Sequence, residues 1–275
     1  RYPEVASWAE TNVTFPNSMV DRITPATKSG KITDVHCEDF IQWVVEDKFI
    51  AGRPAWENVG VQFTDDVTPY ENMKLSLLNA SHSLLCYPAY LEGFRKVDAV
   101  LGDSRYRSLI KTFMDVDVTP YVPAPEGVDL EDYKATLLRR FSNAAISDQV
   151  SRLCGDGIAK FEVYIVPTLS KMLRDGRDTV RLAFLIASYA KYLMERRTEA
   201  GEAIDIFEPH ITEADKAILE KGAELGRSRE AADLFLGLSS FQFLPLKDNA
   251  DFMQKYHMFY GETVAEGLSM VLPVE

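Results

Sequence analysis

Residues 180–194 run through apolar and small side chains with only Arg181 and Lys191 as charges. A helix that is apolar on every side must be covered on every side. The stretch therefore predicts a central helix with the rest of the chain wrapped around it. Apolar spacing predicts the covering helices over 3–12, 38–49, 69–91, 104–113, 130–145 and 159–174. Three more follow over 212–225, with Thr212 as cap, 228–236 and 250–272. In 38–49 the shared face is Phe40, Ile41, Val44, Val45 and Phe49. Pro88 is expected to kink the helix over 69–91, since proline removes one ladder bond. Extended chain is confined to 13–25, where Val13, Thr14 and Phe15 form a strand before the turn signal Pro16-Asn17, and to a short strand over 61–63. The proline-rich connector 120–127 is too short to divide domains. The predicted fold class is mainly α, one multi-helical unit over 1–275 with a few short strands.

Composition narrows the function classes. A net charge of −12 argues against nucleic-acid binding, which needs clustered basic surface. No apolar run approaches the ~20 residues of a membrane span, and no signal peptide is visible. Cys37, Cys86 and Cys154 are odd in number and scattered, the pattern of free thiols in a reducing compartment, so a cytoplasmic location is expected. His36, His82, His210 and His257 lie far apart and form no closed ligand set, so no metal is expected.

The segment Lys74-Leu-Ser-Leu-Leu-Asn79-Ala-Ser-His82 carries the chemistry. On an α-helix His82 lies roughly 80° around from Lys74 and Asn79 roughly 140°, all within about 12 Å of axis. A desolvated lysine that gives up its proton near neutral pH can take one from an alcohol, and an amide and an imidazole can hold the resulting oxyanion. The bland alternatives are an exposed lysine beside a packing residue, and a core histidine bonded to backbone. Val13-Thr-Phe-Pro-Asn-Ser-Met-Val-Asp-Arg-Ile-Thr-Pro25 adds a charged pair, Asp21-Arg22, read as a half-buried structural ion pair.

Together these two segments resemble the polyol-specific long-chain dehydrogenase/reductase family, the mannitol dehydrogenase family. The likeness continues through Gly52-Arg-Pro-Ala-Trp-Glu, Gly60-Val-Gln-Phe-Thr-Asp-Asp-Val-Thr-Pro, Arg140-Phe-Ser-Asn143 and Ser147-Asp-Gln149, and is nearest to mannitol 2-dehydrogenase members. It implies a helical C-terminal domain of the 6-phosphogluconate dehydrogenase C-terminal-like type. Such members also carry an N-terminal Rossmann domain. With no G-x-G-x-x-G after a strand and Arg1 as first residue, nothing in the chain is expected to correspond to that domain. The chain is read as the substrate-side domain of a longer enzyme, inactive alone.

By resemblance, Lys74 is the general base in alcohol oxidation, and Asn79 and His82 stabilise the oxyanion. A free lysine titrates at about 10.4, so burial among Leu75, Leu77 and Leu78 would have to lower it by two or more units. Glu71, one turn before Lys74, is a proton relay or an exposed i,i+3 partner of it. Arg152 and Lys160 face the substrate or make surface salt bridges. Glu10 accepts from a distal hydroxyl where relatives often carry aspartate. Asn17 sits near the domain junction and the substrate. The implied reaction is NAD-dependent oxidation of D-mannitol to D-fructose, with NADP as the other cofactor and the chain's own Rossmann domain as partner in a monomer. Fructuronate, arabinitol and mannitol 1-phosphate remain open as substrates, as does a non-catalytic helical interaction module.

Overall fold

In a computed structural model, which describes residues 1–26, 33–265 and 272–273, the nearly uncharged stretch forms helix α10 (Val180–Glu195). Every side chain from Arg181 to Met194 is buried. The two charges are neutralised where they stand. Arg181 Nε donates to Asp117 Oδ2 at 2.6 Å, Nη2 donates to Oδ1 at 2.9 Å, and Lys191 Nζ lies 3.6 Å from Glu199. Burying each of Leu182, Phe184, Leu185, Ile186 and Leu193 contributes roughly 1.5–3 kcal/mol, which makes α10 the anchor of the core.

Four helices wrap it: α3 (Ala80–Leu91), α11 (Glu213–Leu225), α12 (Arg229–Phe235) and α13 (Ala250–Ala265). The Thr212 cap forms as the sequence predicts. Its Oγ1 accepts from Asp215 N at 3.1 Å and its own N–H donates to Asp215 Oδ2 at 3.2 Å. The expected continuation of α13 to residue 272 falls largely outside the described residues.

Around this core run α1 (Pro3–Asn12), α2 (Thr68–Met73), α4 (Val97–Gly102), α5 (Ser104–Thr112), α6 (Leu130–Phe141), α7 (Val150–Cys154), α8 (Gly157–Lys160) and α9 (Val166–Arg174). Helices hold 58% of the described residues and strands 6%, so the class is mainly α. Helix α3 continues through Pro88. Among the described residues three π-helical turns interrupt the ladder, at Lys74–Asn79, Phe113–Val118 and Phe161–Ile165. Through them α2 runs into α3, and α8 into α9.

One predicted helix is absent. Residues 38–49 hold instead strand β2 (Gln42–Glu46), which pairs antiparallel with β1 (Ser18–Asp21) and parallel with β3 (Gln62–Thr64), in the order β1-β2-β3. Met19 and Val44 on one face pack with Val67 and Tyr70. Trp43 stacks on Trp56, which meets Phe49 edge-on. Both faces of β2 are thus covered, so its sequence lacks the alternation of a half-exposed strand. The strand expected at Val13–Phe15 lies instead after the Pro16-Asn17 signal, in β1.

Candidate active site

The π turn at Lys74–Asn79 changes the predicted geometry. Its hydrogen bonds close over five residues rather than four, so Asn79 sits nearly above Lys74 instead of well round the helix. The third π turn, Phe161–Ile165, begins directly after Lys160 and packs against the first. Between them and the end of β1 lies a cleft of 260 Å³ whose walls include Lys74, Asn79, His82, Arg152 and Lys160. Helix, π turn and strand together gather five side chains that are scattered in sequence.

Each has a distinct setting. The Lys74 ammonium donates to Val20 O at 2.5 Å. As the edge strand of its sheet, β1 turns unpaired carbonyls outward, and this one takes the lysine. Asn79 and His82 are half-buried, and their side chains have no hydrogen-bond partner among the described residues. Their polar atoms are therefore left to whatever enters the cleft. The His82 ring packs on Phe141 with centroids 4.5 Å apart. Burial, and then the positive charges of Arg152, Arg140 and Lys160, push the His82 pKa down to about 3 against the pull of Asp148. The imidazole is neutral at physiological pH, with one N–H to donate and one nitrogen to accept.

Arg152 Nε donates to Asp148 Oδ1 at 2.9 Å, with a second contact from Nη2 to Oδ2. Burial raises the Asp148 carboxyl, but its bond to Arg152 and the Gln149 N–H outweigh it and hold the group below its ordinary value. Arg152 thus keeps both readings, as an ion pair and as a cleft residue. Lys160 Nζ donates to Leu153 O at 3.0 Å.

Three of the predicted residues stand apart from these walls. Glu71 is exposed and makes no ion pair with Lys74 among the described residues. Glu10 is exposed on α1, a helix that buries none of its residues. Asn17 is exposed just before β1, its N–H donating to Glu46 Oε2 at 3.0 Å.

The structure adds wall residues that spacing did not single out, among them Ser83 and the half-buried Tyr164. Tyr164 belongs to the third π turn, Phe161–Ile165, a feature with no periodic signature in the sequence. The expected Asp21-Arg22 pair is also redrawn. Asp21 is buried against Arg140, whereas Arg22 is exposed and donates to Glu38 O at 2.9 Å. A larger cavity of 880 Å³ is lined by Pro25, His36, Lys96 and Ser147. There the His36 ring meets Ala145 O at 3.1 Å and Lys96 donates to Ser147 O at 2.8 Å, so these groups are engaged with backbone.

Comparison with known proteins places this cleft. The description "Mannitol dehydrogenase C-terminal domain" matches residues 66–261, the stretch holding Lys74, Asn79, His82, Arg152 and Lys160. "Mannitol dehydrogenase Rossmann domain" matches residues 1–58. The expectation that nothing here corresponds to that domain is thereby corrected, and Asp21 and Arg22 bring part of it to the cleft.

A mannitol 2-dehydrogenase of Pseudomonas fluorescens, solved as a ternary complex with NAD and D-mannitol, superposes with a TM-score of 0.86 at 38% identity, over 98% of this chain and 56% of that one. A polyol:NADP oxidoreductase of Gluconobacter oxydans is 42% identical over 79% of this chain and 47% of its own length. A D-mannonate oxidoreductase of Escherichia coli is 34% identical over 97% of this chain and 56% of its own. The chain spans about half the length of the curated relatives it matches. With one family description covering most of the residues, and those residues building the cleft, the chain belongs to the mannitol dehydrogenase family.

Proposed function

We propose that this chain carries the proton-transfer and substrate-binding part of an NAD-dependent polyol dehydrogenase that oxidises D-mannitol to D-fructose. The carrying observation is the cleft itself: an amine, an amide and a neutral imidazole line one 260 Å³ space, the last two without partners among the described residues. An interaction module has no use for such a set.

Lys74 takes the hydroxyl proton of the substrate through Nζ and returns it in the reverse reaction. Asn79, through its amide N–H, and His82, through its single imidazole N–H, donate to the developing alkoxide. Because His82 is neutral, it orients the oxygen without competing for the proton. Arg152, held by Asp148, and Lys160 donate to the remaining hydroxyls. Glu71, exposed one turn from Lys74, passes the proton to solvent, while Glu10 and Asn17 meet the substrate from the side of the nucleotide-binding domain.

These residues supply a proton acceptor and oxyanion donors but no hydride acceptor, a donor set that fits a nicotinamide cofactor; a bound NAD would supply that acceptor, with NADP as the other form. Asn17 is the residue this chain offers to it. Tyr2, Val5, Trp8 and Phe15 are exposed, an apolar face suited to docking the rest of a Rossmann domain within a monomer. The helical part is proposed to be of the 6-phosphogluconate dehydrogenase C-terminal-like type.

One observation favours a second reading, a sugar acid as substrate. Among the described residues Arg22 and Lys160 donate only to backbone carbonyls, which leaves their charge available to a carboxylate. Turnover of mannitol, arabinitol, fructuronate and mannitol 1-phosphate by the full-length enzyme separates the two. In the same assay Lys74→Ala is expected to lower kcat on the order of 10²–10⁴-fold, and turnover within a few-fold of wild type refutes the lysine base.

A further inference from the structure

The Lys74 side chain has four rotatable bonds and carries roughly 2 kcal/mol of rotamer entropy. Its amine can be held in one place only if its acceptor is held. That acceptor, Val20 O, belongs to a four-residue edge strand, which alone is weakly fixed. What fixes the strand is Arg140. Its Nη1 and Nη2 donate to Asp21 Oδ2 and Oδ1 at 2.8 and 2.7 Å. Its Nε lies 3.2 and 3.1 Å from the two Glu38 oxygens, and Nη2 is 2.7 Å from Glu38 Oε1.

Glu38 closes the frame from the far side. Its Oε1 accepts from Ile23 N at 2.6 Å and its backbone N–H donates to Ile23 O at 3.1 Å. All three charged side chains are at least nine-tenths buried. In such a setting a guanidinium with two bidentate partners is a rigid cross-brace rather than a solvated ion pair. The next residue on α6, Phe141, braces the His82 ring, so one helix end supports both the amine and the imidazole.

We propose that Arg140, clamped between Asp21 and Glu38, is a positioning residue for the reaction: it fixes the strand that presents the Val20 carbonyl and, through that carbonyl, the Lys74 amine. The proposal rests on Lys74 acting as the base. It accounts for the pairing of a Val-Asp-Arg segment with a distant Arg-Phe-Ser-Asn segment, which the proton-transfer chemistry by itself leaves without a role.

The test is a double-mutant cycle in the full-length enzyme, reading kcat and KM for mannitol oxidation. Asp21→Asn keeps the shape of the side chain but removes its charge. It is expected to lower kcat on the order of 10²-fold, as a displacement of about 1 Å does, with KM changed less than about threefold. In a Lys74→Ala background assayed with added methylamine, the same substitution is expected to change the amine-rescued rate less than about twofold, because a free amine needs no strand to aim it. Equal fold-losses in both backgrounds overturn the positioning role, since the cluster then acts on the fold generally. Turnover by Lys74→Ala within a few-fold of wild type, without added amine, overturns the underlying lysine-base reading instead. Should Asp21→Asn not yield folded enzyme, Glu38→Gln enters the same cycle with the same two outcomes.

Discussion

Acid should unfold this protein through His82 before it affects most of its carboxylates. In the native state the ring is withdrawn from water and faces Arg152, Arg140 and Lys160, so its pKa falls from 6.5 to about 3. In the unfolded chain it returns to about 6.5. Between those values the unfolded state binds a proton that the native state does not, so stability rises with pH through the window and is lost as pH falls below about 6.5. At about pH 5 the native ring is still neutral, and the loss from this residue alone is about 2 kcal/mol, from about 1.5 pH units at about 1.36 kcal/mol each. Urea unfolding of wild type and His82→Gln at about pH 7.5 and about pH 5 isolates the term, because the other titrating groups are shared. Wild type is expected to lose about 2 kcal/mol more than the variant over that interval. Parallel losses would mean that His82 is protonated in the native protein or titrates alike in both states, and its role as a neutral donor would fall with that result.

Two stability predictions test the frame around the cleft. A Cβ on Gly157 would meet the Tyr87 and Tyr189 hydroxyls at 2.4 and 2.6 Å, and both tyrosines are buried and hydrogen-bonded, to Cys154 O and Glu208. Gly157→Ala is expected to cost roughly 1–3 kcal/mol or more in urea unfolding, and to disturb Lys160 on the same short helix. Asp117→Ala leaves the Arg181 guanidinium charged inside the core without its main counter-ion and is expected to cost about 3–5 kcal/mol. The double change Asp117→Leu with Arg181→Met should recover most of that loss, and no recovery would show that the pair does more than neutralise itself.

Much of the fold was legible because it depends on local patterns. The unbroken apolar run of α10 and the Thr212 cap each act within a few residues. The segment 38–49 misled because Phe40, Ile41, Val44, Val45 and Phe49 satisfy a helical face, while the competing signal, the β-formers Trp43, Val44 and Val45 covered on both faces of β2, depends on strands elsewhere in the chain. Helix α4 was too short to register. In the site, Lys74, Asn79 and His82 were readable from spacing on one segment. That Arg152 and Lys160 share their cleft came only from the family resemblance, since no local rule joins residue 74 to residue 152. The partner of Asp21 was out of reach for the same reason: sequence adjacency suggested Arg22, while the buried guanidinium comes from Arg140, on α6.

The π turn at Lys74–Asn79 has a consequence for how this cleft can vary. Such a turn is an α-helix with one residue too many, so dropping any single residue from it lets the ladder relax to ordinary spacing, with little disturbance to the buried layers on either side. The flanking helices would keep nearly the same mutual facing, because four α steps turn through about the same angle as five π steps. A chain one residue shorter here could still fold and resemble its relatives, with its amine, amide and imidazole on one side of the helix, since seven α steps return to within about 20° of the start. Length within these six positions can therefore change by one residue where the identity of the two ends, Lys74 and Asn79, cannot.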